Sequence, residues 1–197
     1  MKVTECPLDG VLLIEPERFG DGRGFFLESY EQERYRAAGI LEEFVQDNQS
    51  RSARNVLRGL HFTRTKPQAQ ILTVMRGKIF DALVDIRPGS PTRGRWFGTE
   101  LADSGFCQVY MPHGFAHGFC VLSDYADLHY KVSQRYDPAD EATRRLMAEM
   151  PLMQRRMLVD LNPLLRNAEI VFVKRYTYNS KHYYDDFQHI SRWGGNL

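Results

Sequence analysis

The feature that most limits the possible folds is a succession of short β-prone runs separated by turn signals, from residue 1 to about residue 136. "GVLLIE" is an apolar run closed by Pro16, and "GFFLESY" follows the glycine-rich turn "FGDGRG". "QILTVMRGKIFDALVDIR" reads as two strands joined around Arg76-Gly77-Lys78. "RGRWFGTEL" and "FCQVYMP" are shorter strands, and "GFCVLSDYADLHYKVSQRY" carries another pair. Runs this short at such regular spacing predict an all-β sandwich or barrel and disfavour alternating βαβ units. One early helix is expected in "YEQERYRAAGI", ended by Gly39.

The pattern changes after about residue 137. Asp137 followed by Pro138 has the form of an N-cap with proline at the first helical position. Leu146, Met150, Met153 and Met157 recur at helical spacing, and Pro151 inside that span predicts a kink or two short helices. The methionine stripe is a packing surface on this reading, since methionine fills irregular gaps. "EIVFVKRYTY" predicts a late strand, and the aromatic, polar tail that follows has no clear period.

Composition narrows the function classes. A chain of 197 residues is expected to form one domain, residues 1–197, long enough for a single substantial core. The formal net charge is +1, so no global charge points to nucleic acid or an anionic membrane, and a local basic pocket stays open. Cys6, Cys107 and Cys120 are scattered, without CxxC spacing, which suits a reducing cytoplasm. Acidic residues interrupt the N-terminal segment, so no signal-like apolar core is read there. No run approaches the ~18 apolar residues of a membrane span.

Three constellations carry chemistry. In "FGDGRGFFLE", Arg23 and Glu28 flank a turn, and Arg23 suits either a phosphate or a plain charged surface. In "FVQDNQSRSARNVLRGLHF", Gln46 and Asn48 alternate along a strand and so share a face. Arg58 and His61 are three apart, which puts them on opposite faces of a regular strand unless a bulge or kink at Gly59 re-aims one. In "VYMPHGFAHGFCVLSDYADLHYK", His113, His117 and His129 raise a zinc, iron or copper site, and Tyr130 follows directly. The spacing speaks against a metal, because no His-x-His pair with a following Glu is present and turn residues separate His113 from His117.

"DGRGFFLE", "FVQDNQS", "VLRGLHF", "VDIRPGSPTRGRW", "MPHGFAHGF" and "LHYKVSQRYDP" stand in the order and at the kind of separation found in dTDP-4-dehydrorhamnose 3,5-epimerases. Over about residues 10–138 the chain resembles that family. The resemblance implies a cupin-type jelly roll over those residues, with a helical and tail extension over about 139–197. It implies an isomerase without metal or other cofactor, acting on a nucleotide-linked 4-keto-6-deoxy sugar at C3, C5 or both. It further implies a homodimer whose N-terminal strands cross to the partner.

Carried over by position, His61 resembles the family base and Tyr130 the acid on the opposite face. Arg58 and His117 match positions beside the sugar and its phosphates. Arg23, Glu28, Gln46 and Asn48 match positions that hold the nucleotide and diphosphate, with Arg23 and Glu28 expected from the partner chain. The family's usual enolate-stabilising lysine falls on Gln70, with Lys66 or Arg64 as substitutes from the preceding loop. Asp185 or Asp186 stands nearest to the aspartate that orients the base histidine. A binding protein with altered chemistry and, more weakly, a metal-dependent cupin enzyme are the alternatives.

Overall fold

The computed structural model describes residues 1–63 and 66–135. The expected C-terminal helices, methionine stripe, late strand and tail lie outside the described residues, as do Arg64, Asp185 and Asp186. Twelve strands and one helix are described: β1 (Lys2–Glu5), β2 (Leu12–Glu15), β3 (Arg18–Asp21), β4 (Gly24–Leu27), α1 (Gln32–Ala37), β5 (Gln46–Ala53) and β6 (Leu57–His61). They continue with β7 (Gln70–Arg76), β8 (Lys78–Asp85), β9 (Trp96–Ala102), β10 (Gln108–Met111), β11 (Phe115–Val121) and β12 (Tyr125–Val132).

The strands make a six-stranded sheet, β1-β2-β10-β7-β12-β5, a four-stranded sheet, β6-β11-β8-β9, and a separate β3-β4 hairpin. Neighbours in each sheet are mostly distant in sequence, so the chain passes repeatedly from one sheet to the other, as a jelly roll requires. The all-β, cupin-like architecture is therefore the one read from the sequence. Leu72, Val74, Val109 and Leu128 of the larger sheet pack with Ile79, Leu83, Phe119 and Val121 of the smaller in one buried cluster. Each such side chain contributes roughly 1.5–3 kcal/mol when fully removed from water.

Two strands were not expected. β3 runs from Arg18 into the segment read as a glycine-rich turn, and β1 precedes the first apolar run. Both are largely exposed, so neither carries the one-sided apolar alternation that marks a half-buried strand. The helix is shorter than its sequence window. Glu31 caps it by accepting from the backbone N–H groups of Glu33 and Arg34, and Gly39 follows with φ 92°. Buried Tyr35 anchors it to the back of the larger sheet, where its hydroxyl meets Gln108 Oε1 at 2.6 Å.

The strand that decides the interior is β6. His61 pairs with His117 and Arg58 with Phe119, so Gly59 and Leu60 together oppose Gly118 alone. That extra residue is a β-bulge, and it turns a three-residue separation into a same-face relation. Only glycine fits: Gly59 has φ +103°, and a Cβ there falls 2.5 Å from Gly118 Cα and from the His117 carbonyl. A Cβ on Gly118 falls 2.7 Å from the Arg58 carbonyl. The neighbours are backbone atoms, which cannot rotate away. Gly118→Ala is expected to cost about 1–3 kcal/mol in urea unfolding and to reduce activity. Wild-type stability in that variant would contradict the close approach.

Candidate active site

The larger sheet presents a polar stripe to the interior. β5 pairs with β12 so that Gln46 lies opposite Val132, Asn48 opposite Tyr130, Ser50 opposite Leu128 and Ser52 opposite Ala126. The β12 residues of these pairs all belong to the central core cluster, so the four β5 residues face inward. Gln70 lies opposite Val132 on the other side of β12 and shares that face. Gln46 Nε2 donates to Asn48 Oδ1 at 2.7 Å, and the Tyr130 and Ser50 hydroxyls are 3.1 Å apart. The phenol is thereby held over the middle of the stripe.

The smaller sheet answers with cations and imidazoles. Because of the bulge, Arg58, His61, His117 and Phe119 share the inner face of β6 and β11. Arg58 Nε donates to Ser52 Oγ at 2.9 Å, tying the two sheets together across the interior. The His61 and His117 rings lie 6.2 Å apart, centroid to centroid. Behind them, Asp81 of β8 places Oδ1 2.6 Å from His117 Nε2. Both residues are deeply buried, Asp81 at 1% and His117 at 3% exposure. Burial first, then the neighbouring charges of His117 and Arg58, push His61 down to about 3, so its imidazole is neutral at pH 7.

Gln46, Asn48, Arg58, His61, Gln70, His117 and Tyr130 therefore converge on one interior. Arg23 and Glu28 do not. Arg23 is 91% exposed on the β3-β4 hairpin and bonded to Asp21, while Glu28 pairs with Arg34 at 3.0 Å. The three-histidine grouping also separates. His113 is exposed 3.9 Å from Glu42, and His129 points outward, 3.6 Å from Asp47. Among the described residues no three His, Cys, Asp or Glu side chains gather as metal ligands. Ser50, Ser52 and Asp81 were missed from sequence. The two serines continue the every-second-residue register of Gln46 and Asn48, and Asp81 is the acid between the inward positions Ile79 and Leu83.

Comparison with known proteins places these observations. The family model for dTDP-4-dehydrorhamnose 3,5-epimerase matches residues 5–151. A dTDP-4-dehydrorhamnose 3,5-epimerase of Pseudomonas aeruginosa is 48% identical over 142 residues, covering 72% of this chain and 78% of the relative. A dTDP-4-dehydrorhamnose 3-epimerase of Streptomyces niveus is 45% identical over 143 residues, covering 72% and 69%. The crystal structure of a Legionella pneumophila 3,5-epimerase in complex with dTDP-4-keto-L-rhamnose superposes with TM-score 0.69 and 46% identity, covering 71% of this chain and 74% of that one. A 48% identity and a family match over most of the chain leave one conclusion: this protein belongs to the dTDP-4-dehydrorhamnose 3,5-epimerase family.

Proposed function

We propose that this chain epimerises a dTDP-linked 4-keto-6-deoxy sugar, with His61 as the base and Tyr130 as the acid. The observation that carries the reading is a neutral imidazole on one sheet and a phenol on the other, both directed into one polar interior. A ketone at C4 acidifies the protons at C3 and C5, because the carbanion left behind delocalises into an enolate. His61 takes the carbon-bound proton and becomes imidazolium. Tyr130 then gives its phenolic proton to the opposite face of the same carbon, and solvent returns both groups to their neutral forms. The low proton affinity of free His61 is relieved at that moment, since the enolate beside it supplies a compensating negative charge.

Arg58, Gln46 and Asn48 are assigned to the sugar and diphosphate, and Gln70 to the ketone oxygen as an uncharged amide donor. Arg23 and Glu28 are assigned to the nucleotide of the partner's site. The supporting feature is the β3-β4 hairpin, which pairs with neither sheet and exposes Phe19, Phe25 and Phe26, the last at 69%. Exposed aromatic rings beside an exposed arginine fit a second copy of the chain. Three free cysteines fit a cytoplasmic enzyme. The amide at Gln70 favours one alternative, a protein that binds the sugar nucleotide without turning it over.

Three outcomes are expected. Incubated with dTDP-4-keto-6-deoxyglucose in D2O, the wild type incorporates deuterium at C3, C5 or both, read by NMR. His61→Asn and Tyr130→Phe each lower that rate by about 10²–10⁴, whereas binding of dTDP persists; absence of wild-type exchange would select the binding-only alternative. Co-expressed Arg23→Ala and His61→Asn chains, each inactive alone, recover about a quarter of wild-type activity through mixed dimers. No recovery would place Arg23 outside the partner's site. Folding also responds to pH. An unfolded imidazole takes its proton near 6.5 and folded His61 only near 3, so stability is full above 6.5 and declines as pH falls through that window. Urea unfolding at pH 5 and 7 should show a smaller acid loss for His61→Asn than for the wild type; equal losses would argue against a neutral folded His61.

A further inference from the structure

Among the described interior residues, the proposed steps leave the buried Asp81–His117 pair unused. Asp81 Oδ1 lies 2.6 Å from His117 Nε2, and Asp81 Oδ2 is buried with no hydrogen-bond partner. Its flanking inward neighbours on β8 are Ile79 and Leu83, and across its two ladders it pairs with Phe119 and Thr99. A lone carboxylate in such apolar company is strongly disfavoured, and a neutral imidazole beside it leaves the charge uncompensated. A pair that is neutral as a unit avoids that cost. One proton lies between Oδ1 and Nε2, whichever atom formally carries it.

Neutrality then requires a second proton on the pair. Placed on Oδ2, it would be a buried donor with no acceptor. Placed on His117 Nδ1, it sits on a ring nitrogen that, unlike Asp81 Oδ2, is not among the buried polar atoms left without a partner. His117 is the cross-strand partner of His61 on the inner face, where the other charged or titratable neighbours are Arg58 and His61. We propose that Asp81 is a positioning residue that keeps His117 protonated on Nδ1, so that the Asp81–His117 pair serves as the hydrogen-bond donor to the developing enolate oxygen. This rests on the epimerase reading for the identity of the oxygen, and on geometry alone for the protonation.

The chemistry is balanced within the pair. In the resting state the shared proton has two partners of similar claim. As negative charge grows on the sugar oxygen, the proton settles on Nε2, leaving imidazolium against carboxylate. A full positive charge then faces the oxyanion without any net proton uptake from solvent. Such a donor supplies what the amide of Gln70 lacks.

The test uses the full-length protein with 15N-labelled histidine, His117 assigned by its loss in His117→Gln. Long-range 1H–15N spectra of the wild type are expected to show Nδ1 protonated. A spectrum with Nδ1 bare and Nε2 protonated in a neutral ring would overturn the proposal, whatever the enzyme's activity. Asp81→Asn, near in shape, is expected to lower kcat for deuterium exchange about 10–100-fold while KM and dTDP affinity change less than about 3-fold. A kcat within that same ~3-fold range would also overturn it. If circular dichroism shows that Asp81→Asn does not fold, the wild-type spectrum decides alone. A wild type with protonated Nδ1 but no exchange would sink the epimerase reading and leave the protonation assignment standing.

Discussion

Everything in the interior depends on two glycines meeting at van der Waals limits. Gly59 and Gly118 approach so closely that a Cβ on either would sit within 2.7 Å of the other strand's backbone. That contact lets β6 carry one residue more than β11 across the same stretch. Without the extra residue Arg58 would point out when His61 points in, and the two sheets would lose the Arg58–Ser52 tie. A backbone irregularity, which adds no side chain to the site, thus decides which side chains the site contains.

The two sheets divide the chemistry between them. The larger contributes neutral hydrogen-bonding groups, Gln46, Asn48, Ser50, Ser52, Gln70 and the Tyr130 phenol. The smaller contributes the arginine, two imidazoles and the buried carboxylate. A flat, polar substrate lying between them would meet donors and a phenol on one side and imidazoles on the other. Inversion at carbon needs this arrangement, because the proton must leave and return on opposite faces.

Much of this was legible in the sequence. Alternation in "FVQDNQS" places Gln46 and Asn48 correctly, since β5 is a regular strand and period 2 is then reliable. Short β runs give the all-β class for the same reason. The Arg58–His61 relation was not determinate, because period 2 fails at a bulge and the sequence offers only Gly59 as a hint. The exposed strands β1 and β3 escaped because nothing apolar marks them. Asp81 escaped for a different cause: the first of the two acids in "KIFDALVD" looks like a surface residue until the β8–β9–β11 pairings turn it inward. His129 misled in the opposite direction, sharing a motif with Tyr130 while facing away from it.

The buried Asp81–His117 pair also sets a tension within the molecule. A proton shared in an apolar interior is weak support for folding, and well-packed hydrophobic residues of similar volume commonly stabilise a protein by about 1–4 kcal/mol when they replace such a pair. Selection for stability alone would erase it, with Asp81 drifting to leucine and His117 to phenylalanine. The result would be a firmer jelly roll that still holds a nucleotide and no longer moves a proton. On the proposal above, an aspartate at this position of β8 is thus a mark of chemistry kept under selection, and an aliphatic residue there would mark a chain that only binds.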